Sequence, residues 1–240
     1  MGTLHLVRHG QASFFEANYD RLSAAGEEQS RLLGACWAKR GVRIDRVFAG
    51  PLVRQQRSAE LAGEAFVAGG GRWPAPVLVP ELEEMRIEPL FREHLPDLFE
   101  KHEHLRGLGD ALLAADGNEA KARVFAALFE AVAGLWIRGQ VSATGVEAWT
   151  DFRARVRQAL DVATQGRGVA VAAFSSGGVI AAAMQHALAL DDAAALALAW
   201  RVRNSSVSTF VYDRAGGDRF SVCSFNELPH LDEARLVTLR

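Results

Sequence analysis

Val169 to Phe174 is an uninterrupted apolar run of strand length, followed by Ser175-Ser176-Gly177-Gly178 and then by the alanine-rich stretch Val179 to Leu190. A strand without polar alternation has no face to give to water, so it belongs inside a parallel sheet covered on both sides. The turn residues convert that strand directly into a helix, and the first amides of such a helix point outward as anion donors. The rest of the chain has to supply the neighbouring strands and the covering helices.

Several segments do so. Thr3 to Val7 is rich in strand formers and ends abruptly at Arg8-His9-Gly10, which puts His9 at a strand's carboxyl end. From Leu22 to Arg40 apolar residues recur at helical spacing, with Glu27 and Glu28 near the start, Lys39 and Arg40 near the end, and Gly41 as the stop. Arg46 to Ala49 predicts a second strand, and Gly50-Pro51 a turn into a helix with Leu52, Ala59, Ala62 and Phe66 inward. After Gly69-Gly70-Gly71, Val77 to Val79 predicts a third short strand.

Arg86 to Gly145 has no strand-like run and is read as a helical insertion, clearest at Asn118 to Arg138. Thr150 is the expected N-cap of a further helix that buries Phe152, Val156, Leu160 and Ala163. Ser206 to Tyr212 and Arg219 to Phe225 predict a terminal hairpin. The expected fold is a single α/β domain over 1–240. It is a three-layer α/β/α sandwich with a mostly parallel central sheet, a helical cap insertion at about 86–145 and a C-terminal hairpin.

Composition narrows the partners. With 27 Lys plus Arg against 29 Asp plus Glu, the net charge of −2 offers no global attraction to nucleic acid or to an anionic membrane. The 49% hydrophobic and 23% charged content argues against disorder and coiled coil. Cys36 and Cys223 stand far apart without a CxxC pair, which fits a reducing, cytoplasmic setting, and no secretion signal is legible between Met1 and Phe15. The alanine-rich stretches are shorter than the roughly 18 apolar residues of a membrane span.

In a sheet of this kind ligands bind beyond the carboxyl ends of the strands. The loops after Val7, Ala49, Val79 and Phe174 carry Arg8-His9, Arg54, Glu84 and Ser175-Ser176. Two guanidiniums around an imidazole suit a phosphoryl group, because the guanidinium fork matches phosphate oxygens and spreads the charge that develops in transfer. With no GxxxxGK[ST] loop and no evident metal-ligand cluster in the sequence, the set points to covalent catalysis by His9 on a small phosphorylated substrate.

These residues resemble the histidine phosphatase superfamily, also called phosphoglycerate mutase-like. Leu6-Val7-Arg8-His9-Gly10-Gln11 matches its RHG motif, and Asp20 to Gln29 its D-x-x-L-[ST]-x-x-G-x-x-Q stretch. Leu52-Val53-Arg54 with Arg57-Ser58-Ala59 resembles L-x-R-A-x-[QR]-T-A, Leu82-Glu83-Glu84 the L-x-E acid motif, and Asn204-Ser205-Ser206 the late N-x-S segment. The resemblance implies that His9 is the nucleophile and that Arg8 and Arg54 clamp the phosphoryl oxygens. It further implies that Gln11, Ser176 and Gly177 help hold the phosphate, that Glu84 protonates the leaving oxygen, and that water then hydrolyses the phosphohistidine without metal or cofactor. Glu81, Glu83 and Glu88 are the neighbouring candidates for the acid.

One departure stands out. The family's second histidine belongs to a strand–H-G-G turn, and Ser176 occupies that place here. A hydroxyl donates a neutral hydrogen bond, weaker than the charged one of an imidazolium. A catalytically weakened phospholigand-binding protein is therefore the alternative. A mutase is a further one, although Ala12-Ser13-Phe14-Phe15 replaces the usual serine followed by tryptophan and asparagine. Phe174-x-Ser176-x-Gly178 also resembles part of a G-x-S-x-G elbow, which makes a serine hydrolase at Ser176 the remote alternative. In the insertion, His94, His102 and His104 read as a solvated face rather than a metal site. Its Arg86, Arg92, Lys101 and Arg106 suggest a cap over the pocket, and its apolar stripe a homodimer interface.

Overall fold

The structure is a computed structural model, and it describes residues 1–13, 20–213 and 219–239. The described elements run β1 (Gly2–Arg8), α1 (Ala24–Lys39), β2 (Arg46–Ala49), α2 (Val53–Ala68), β3 (Val77–Leu78), α3 (Glu88–Lys101), α4 (Glu103–Ala114) and α5 (Asn118–Ile137). They continue with α6 (Trp149–Ala163), β4 (Ala170–Ser175), α7 (Gly177–Leu188), α8 (Asp192–Ala199), β5 (Val207–Asp213) and β6 (Arg219–Glu227). The chain divides into two compact units, Met1–Glu84 with Ala154–Arg240, and Met85–Arg153.

The first unit holds a mixed, mostly parallel sheet in the order β3-β2-β4-β1-β5-β6. β4 lies between β1 and β2 and runs parallel to both, as its unbroken apolar sequence requires, while β5 is antiparallel to β1 and β6. Alternation along β1 sends Val7 to one face, where it joins Ala49, Ala172 and Phe174 under Leu33 and Trp37 of α1 and Ala62 and Phe66 of α2. Leu4 and Leu6, both fully buried, point to the other face, where α7 packs on β1. Each such buried leucine contributes about 1.5–3 kcal/mol relative to exposure.

Register decides where the loops emerge. Val7 pairs with Phe174 and Arg8 with Ser175, while Ala49 pairs with Phe174 on the other side. The backbone N–H of His9 continues the ladder to Ser175 O at 2.9 Å, and that of Gly50 to Phe174 O at 3.0 Å. His9, Gly50 and Ser176 therefore leave three adjacent strands at one level. The loop after β1 lies directly on α1: a Cβ on Gly10 would stand 2.3 Å from Gly26 O, and one on Gly26 2.1 Å from Gln11 O. That contact is the physical reason for glycine in both the RHG and the D-x-x-L-[ST]-x-x-G stretches.

The second unit is helical, with no strand in it. Phe91 stacks on Phe129 with ring centroids 5.0 Å apart, and Trp149 meets Trp136 at 5.5 Å and Phe152 at 5.4 Å. The indole N–H of Trp136 donates to Glu147 O at 2.9 Å. Among the described residues no helix is long and apolar enough to cross a membrane.

Several boundaries differ from expectation. Thr150 is inside α6 and does not cap it: the first turn closes on Ala148 O, which accepts from Phe152 N–H at 3.0 Å, because burial of Trp149 draws the helix start back. α7 begins at Gly177, two residues before the expected start, and the third strand ends at Leu78, although Val79 N–H still bonds Ala49 O. β5 and β6 pair as a hairpin, and residues 214–218, the expected turn, lie outside the described residues, as do Phe14 and Phe15. His102 sits between α3 and α4 rather than on a helix face.

Two histidines outside the strand-end loops, His5 half-buried and His230 buried, give the fold a pH dependence. His5 packs on Trp37 and bonds Thr209 Oγ1 at 3.2 Å, and His230 bonds Ser205 Oγ at 2.9 Å. Burial lowers each to about 4, with the Arg40 charge adding to the effect at His230. Above the unfolded value of about 6.5 both states are neutral and nothing is lost. Between pH 6.5 and 4 the unfolded chain binds protons that the folded one refuses, so stability falls as pH falls. The Tm is expected to be level from pH 8 to 7 and to drop steadily from 6.5 to 4; a level Tm down to pH 5 would refute this.

Candidate active site

His9 is 3% exposed and held from two sides. Its Nδ1 lies 2.7 Å from Gly10 O, and since a carbonyl only accepts, Nδ1 carries the proton and Nε2 the lone pair. Burial, then the charges of Arg54 and Arg8, hold the ring well below the usual histidine range, against the opposing pull of the Gly10 carbonyl. The imidazole is thus neutral at ordinary pH, with a nucleophilic nitrogen turned away from the backbone.

That nitrogen faces Arg54, the second residue of α2, whose Nε–H donates to His9 Nε2 at 3.1 Å. Asp20 fixes the guanidinium: Arg54 Nη1 reaches Asp20 Oδ1 at 2.8 Å, and Asp20 Oδ2 accepts the Val53 N–H at 2.9 Å. A carboxylate there satisfies a free amide of the helix start and complements its dipole. Ser58, one turn on, accepts from Gly10 N–H at 3.0 Å and donates to Arg54 O at 2.8 Å, tying the loop after β1 to α2.

The second half of the site lies at the start of α7. Glu84 Oε2 accepts from Gly178 N–H at 3.1 Å, which sets this carboxyl on the helix N-terminus. Glu81 and Glu83 turn backbone carbonyls to Arg155 Nη1, at 2.8 and 2.9 Å. Ser176 is fully buried at the N-cap, and its Oγ accepts from the Gln55 amide at 2.9 Å. A carboxamide cannot take a proton at neutral pH, so Gln55 does not serve this hydroxyl as a general base.

The remaining expected residues are placed as follows. Arg8 donates from Nη1 to the carbonyls of Val202 and Leu239, the latter at 2.7 Å, so the carboxyl-terminal segment helps aim it. A Cβ on Gly177 would stand 4.0 Å from Arg8 Nε and 3.0 Å from Ala199 O, so glycine leaves the guanidinium close to the helix start. Gln11 joins the loop to α1: its N–H donates to Gln29 Oε1 at 2.8 Å and its Oε1 accepts the Ser23 hydroxyl at 2.9 Å. Among the described residues no group of three or more His, Cys, Asp or Glu is arranged to hold a metal ion.

Sequence reasoning assigned no part to Asp20, Gln55 or Ser58. Asp20 opens the D-x-x-L stretch and Ser58 closes the Arg54 motif, so both signals were in view. Gln55 carries no such signal beyond its place next to Arg54 in the sequence.

Comparison with known proteins agrees with this architecture. Bacillus stearothermophilus YhfR matches with a TM-score of 0.63 at 16% identity, over 96% of this chain and 99% of that one. A mycobacterial glucosyl-3-phosphoglycerate phosphatase, solved with inorganic phosphate, gives a TM-score of 0.61 at 19% identity, over 95% and 99%. The α-ribazole phosphatase of Shigella flexneri gives 0.59 at 18%, over 94% and 96%. No curated protein matches the sequence at a significant level. The profile of the histidine phosphatase superfamily (branch 1) matches residues 4–107 and 119–223, and by that match the chain belongs to the histidine phosphatase superfamily.

Proposed function

We propose that this chain is a phosphatase that hydrolyses small phosphate monoesters through a phosphohistidine at His9. The observation that carries the reading is the buried neutral imidazole, proton on Nδ1, with Nε2 facing a guanidinium that Asp20 holds in place. The three relatives include two phosphatases of phosphorylated metabolites, which supports the substrate class.

In the proposed cycle the phosphoryl group enters between Arg54, Arg8 and the start of α7, and its oxygens take the Arg54 donor that Nε2 otherwise accepts. Nε2 attacks phosphorus, the P–O ester bond breaks with its electron pair on the leaving oxygen, and Glu84 gives that oxygen a proton. A water molecule then gives its proton back to Glu84 and attacks phosphorus. The N–P bond breaks, Nε2 regains its lone pair and inorganic phosphate leaves. The two free cysteines fit a cytoplasmic setting for such chemistry.

The test is turnover of para-nitrophenyl phosphate together with rapid quenching after exposure to a phosphorus-labelled ester. Expected are steady release of nitrophenol and a protein-bound label that is stable in alkali and lost in acid, the behaviour of a phosphoramidate. No turnover and no label, with phosphate esters still binding, would overturn the phosphatase in favour of a binding protein.

A further inference from the structure

We infer that Gln55 is a positioning residue for Ser176, and that the two together serve a phosphoryl oxygen where a second imidazole would otherwise stand. The inference rests on the phosphatase reading for its catalytic consequence, but not for its geometry. Gln55 is fully buried at the start of α2, next to Arg54. Its Nε2 donates to Leu82 O at 3.2 Å and to Ser176 Oγ at 2.9 Å, and its Oε1 accepts the Leu52 N–H at 3.2 Å. Leu82 O can only accept, so the amide has one orientation, and Ser176 must receive its bond as the acceptor.

That polarity decides what the serine can do. A serine at an N-cap ordinarily turns its oxygen onto an amide of its own first turn. Ser176 makes no such bond, and the Gly178 N–H is taken by Glu84 instead. With one lone pair engaged by Gln55, the Ser176 hydroxyl keeps its proton to donate, beside Glu84 and the start of α7. The carboxamide therefore sets the rotor of a neutral donor.

The packing is mutual. A Cβ on Gly50 would stand 2.1 Å from Gln55 Oε1, so the carboxamide fills its space to the wall. In the L-x-R-A motif Gln55 stands at the alanine, and in the H-G-G turn Ser176 stands at the histidine. Relative to the motifs that this sequence resembles, a larger residue stands on one side of the hydrogen bond and a smaller one on the other. Such paired exchanges keep total volume, whereas one change alone overpacks or leaves a void.

The test is a double-mutant cycle on the intact chain, read as kcat/KM for para-nitrophenyl phosphate and as inhibition by inorganic phosphate. Gln55→Ala and Ser176→Ala are each expected to lower kcat/KM about 10-fold, and Gln55→Ala in the Ser176→Ala background to cost less than about 2-fold more, because its effect passes through the hydroxyl. Ser176→His alone is expected to fall below wild type, and Gln55→Ala with Ser176→His to recover above either single variant. Thermal melts identify any variant that fails to fold. The cycle is repeated by calorimetry with inorganic phosphate alone, which needs no turnover. If wild type binds phosphate without hydrolysing esters and Gln55→Ala weakens binding only when Ser176 is present, the Gln55 assignment stands and the phosphatase reading falls. Equal losses from Gln55→Ala in both backgrounds, no loss in either, or no phosphate binding by wild type would overturn the assignment.

Discussion

His9→Ala is expected to lower kcat on an aryl phosphate by about 10³-fold or more while the sheet stays folded. The size follows from the role: without Nε2 there is no covalent intermediate, and the only path left is direct attack by water on a bound ester. Binding should survive, because Asp20 fixes Arg54 without help from the imidazole: the carboxylate holds both Nη1 and the Val53 amide. Inorganic phosphate is therefore expected to bind the variant within a few-fold of wild type, and the alkali-stable label to disappear. His9→Asn repeats the test with a smaller cavity, keeping a donor for Gly10 O. Turnover within about 3-fold of wild type in either variant would mean that another group attacks phosphorus.

The fold and the site were legible to different depths, for a physical reason. Strand β4 announced itself because burial on both faces removes all polar residues from a run, and a glycine turn followed by alanines can only continue as a helix. The level of His9, Gly50 and Ser176 follows from parallel register, which such strands enforce. What sequence could not convey is which distant groups meet. Arg8 lies close enough to His9 for its charge to lower the imidazole, yet its Nη1 is anchored by carbonyls of Val202 and Leu239, far along the chain. Asp20 and Gln55 act through hydrogen bonds to elements that no periodicity links to them. The start of α6 was misjudged for a related reason: a tryptophan drawn into a cluster with Trp136 and Phe152 outweighs the local capping preference of a threonine.

Arg54→Lys is the sharpest probe of the phosphate clamp, with an expected loss of about 10²–10³-fold in kcat/KM. Arg54 is 7% exposed and makes two directed bonds at once, Nε to His9 Nε2 and Nη1 to Asp20 Oδ1. A lysine ammonium is a single point and can keep the ion pair with Asp20 only by giving up the fork that meets a phosphoryl oxygen. Charge and geometry separate in the pH profile. The Arg54 charge is the second largest influence lowering His9, after burial, so the pH below which His9 is protonated and inactive should stay low in Arg54→Lys. In Arg54→Gln the charge is gone and that acid limb should move upward, toward the ordinary histidine range. Both variants are expected to be slow at neutral pH, but only the glutamine variant to lose further activity between neutral and mildly acidic pH. A lysine variant within about 2-fold of wild type would mean that charge alone suffices, and that the fork fixed by Asp20 contributes nothing to transition-state stabilisation.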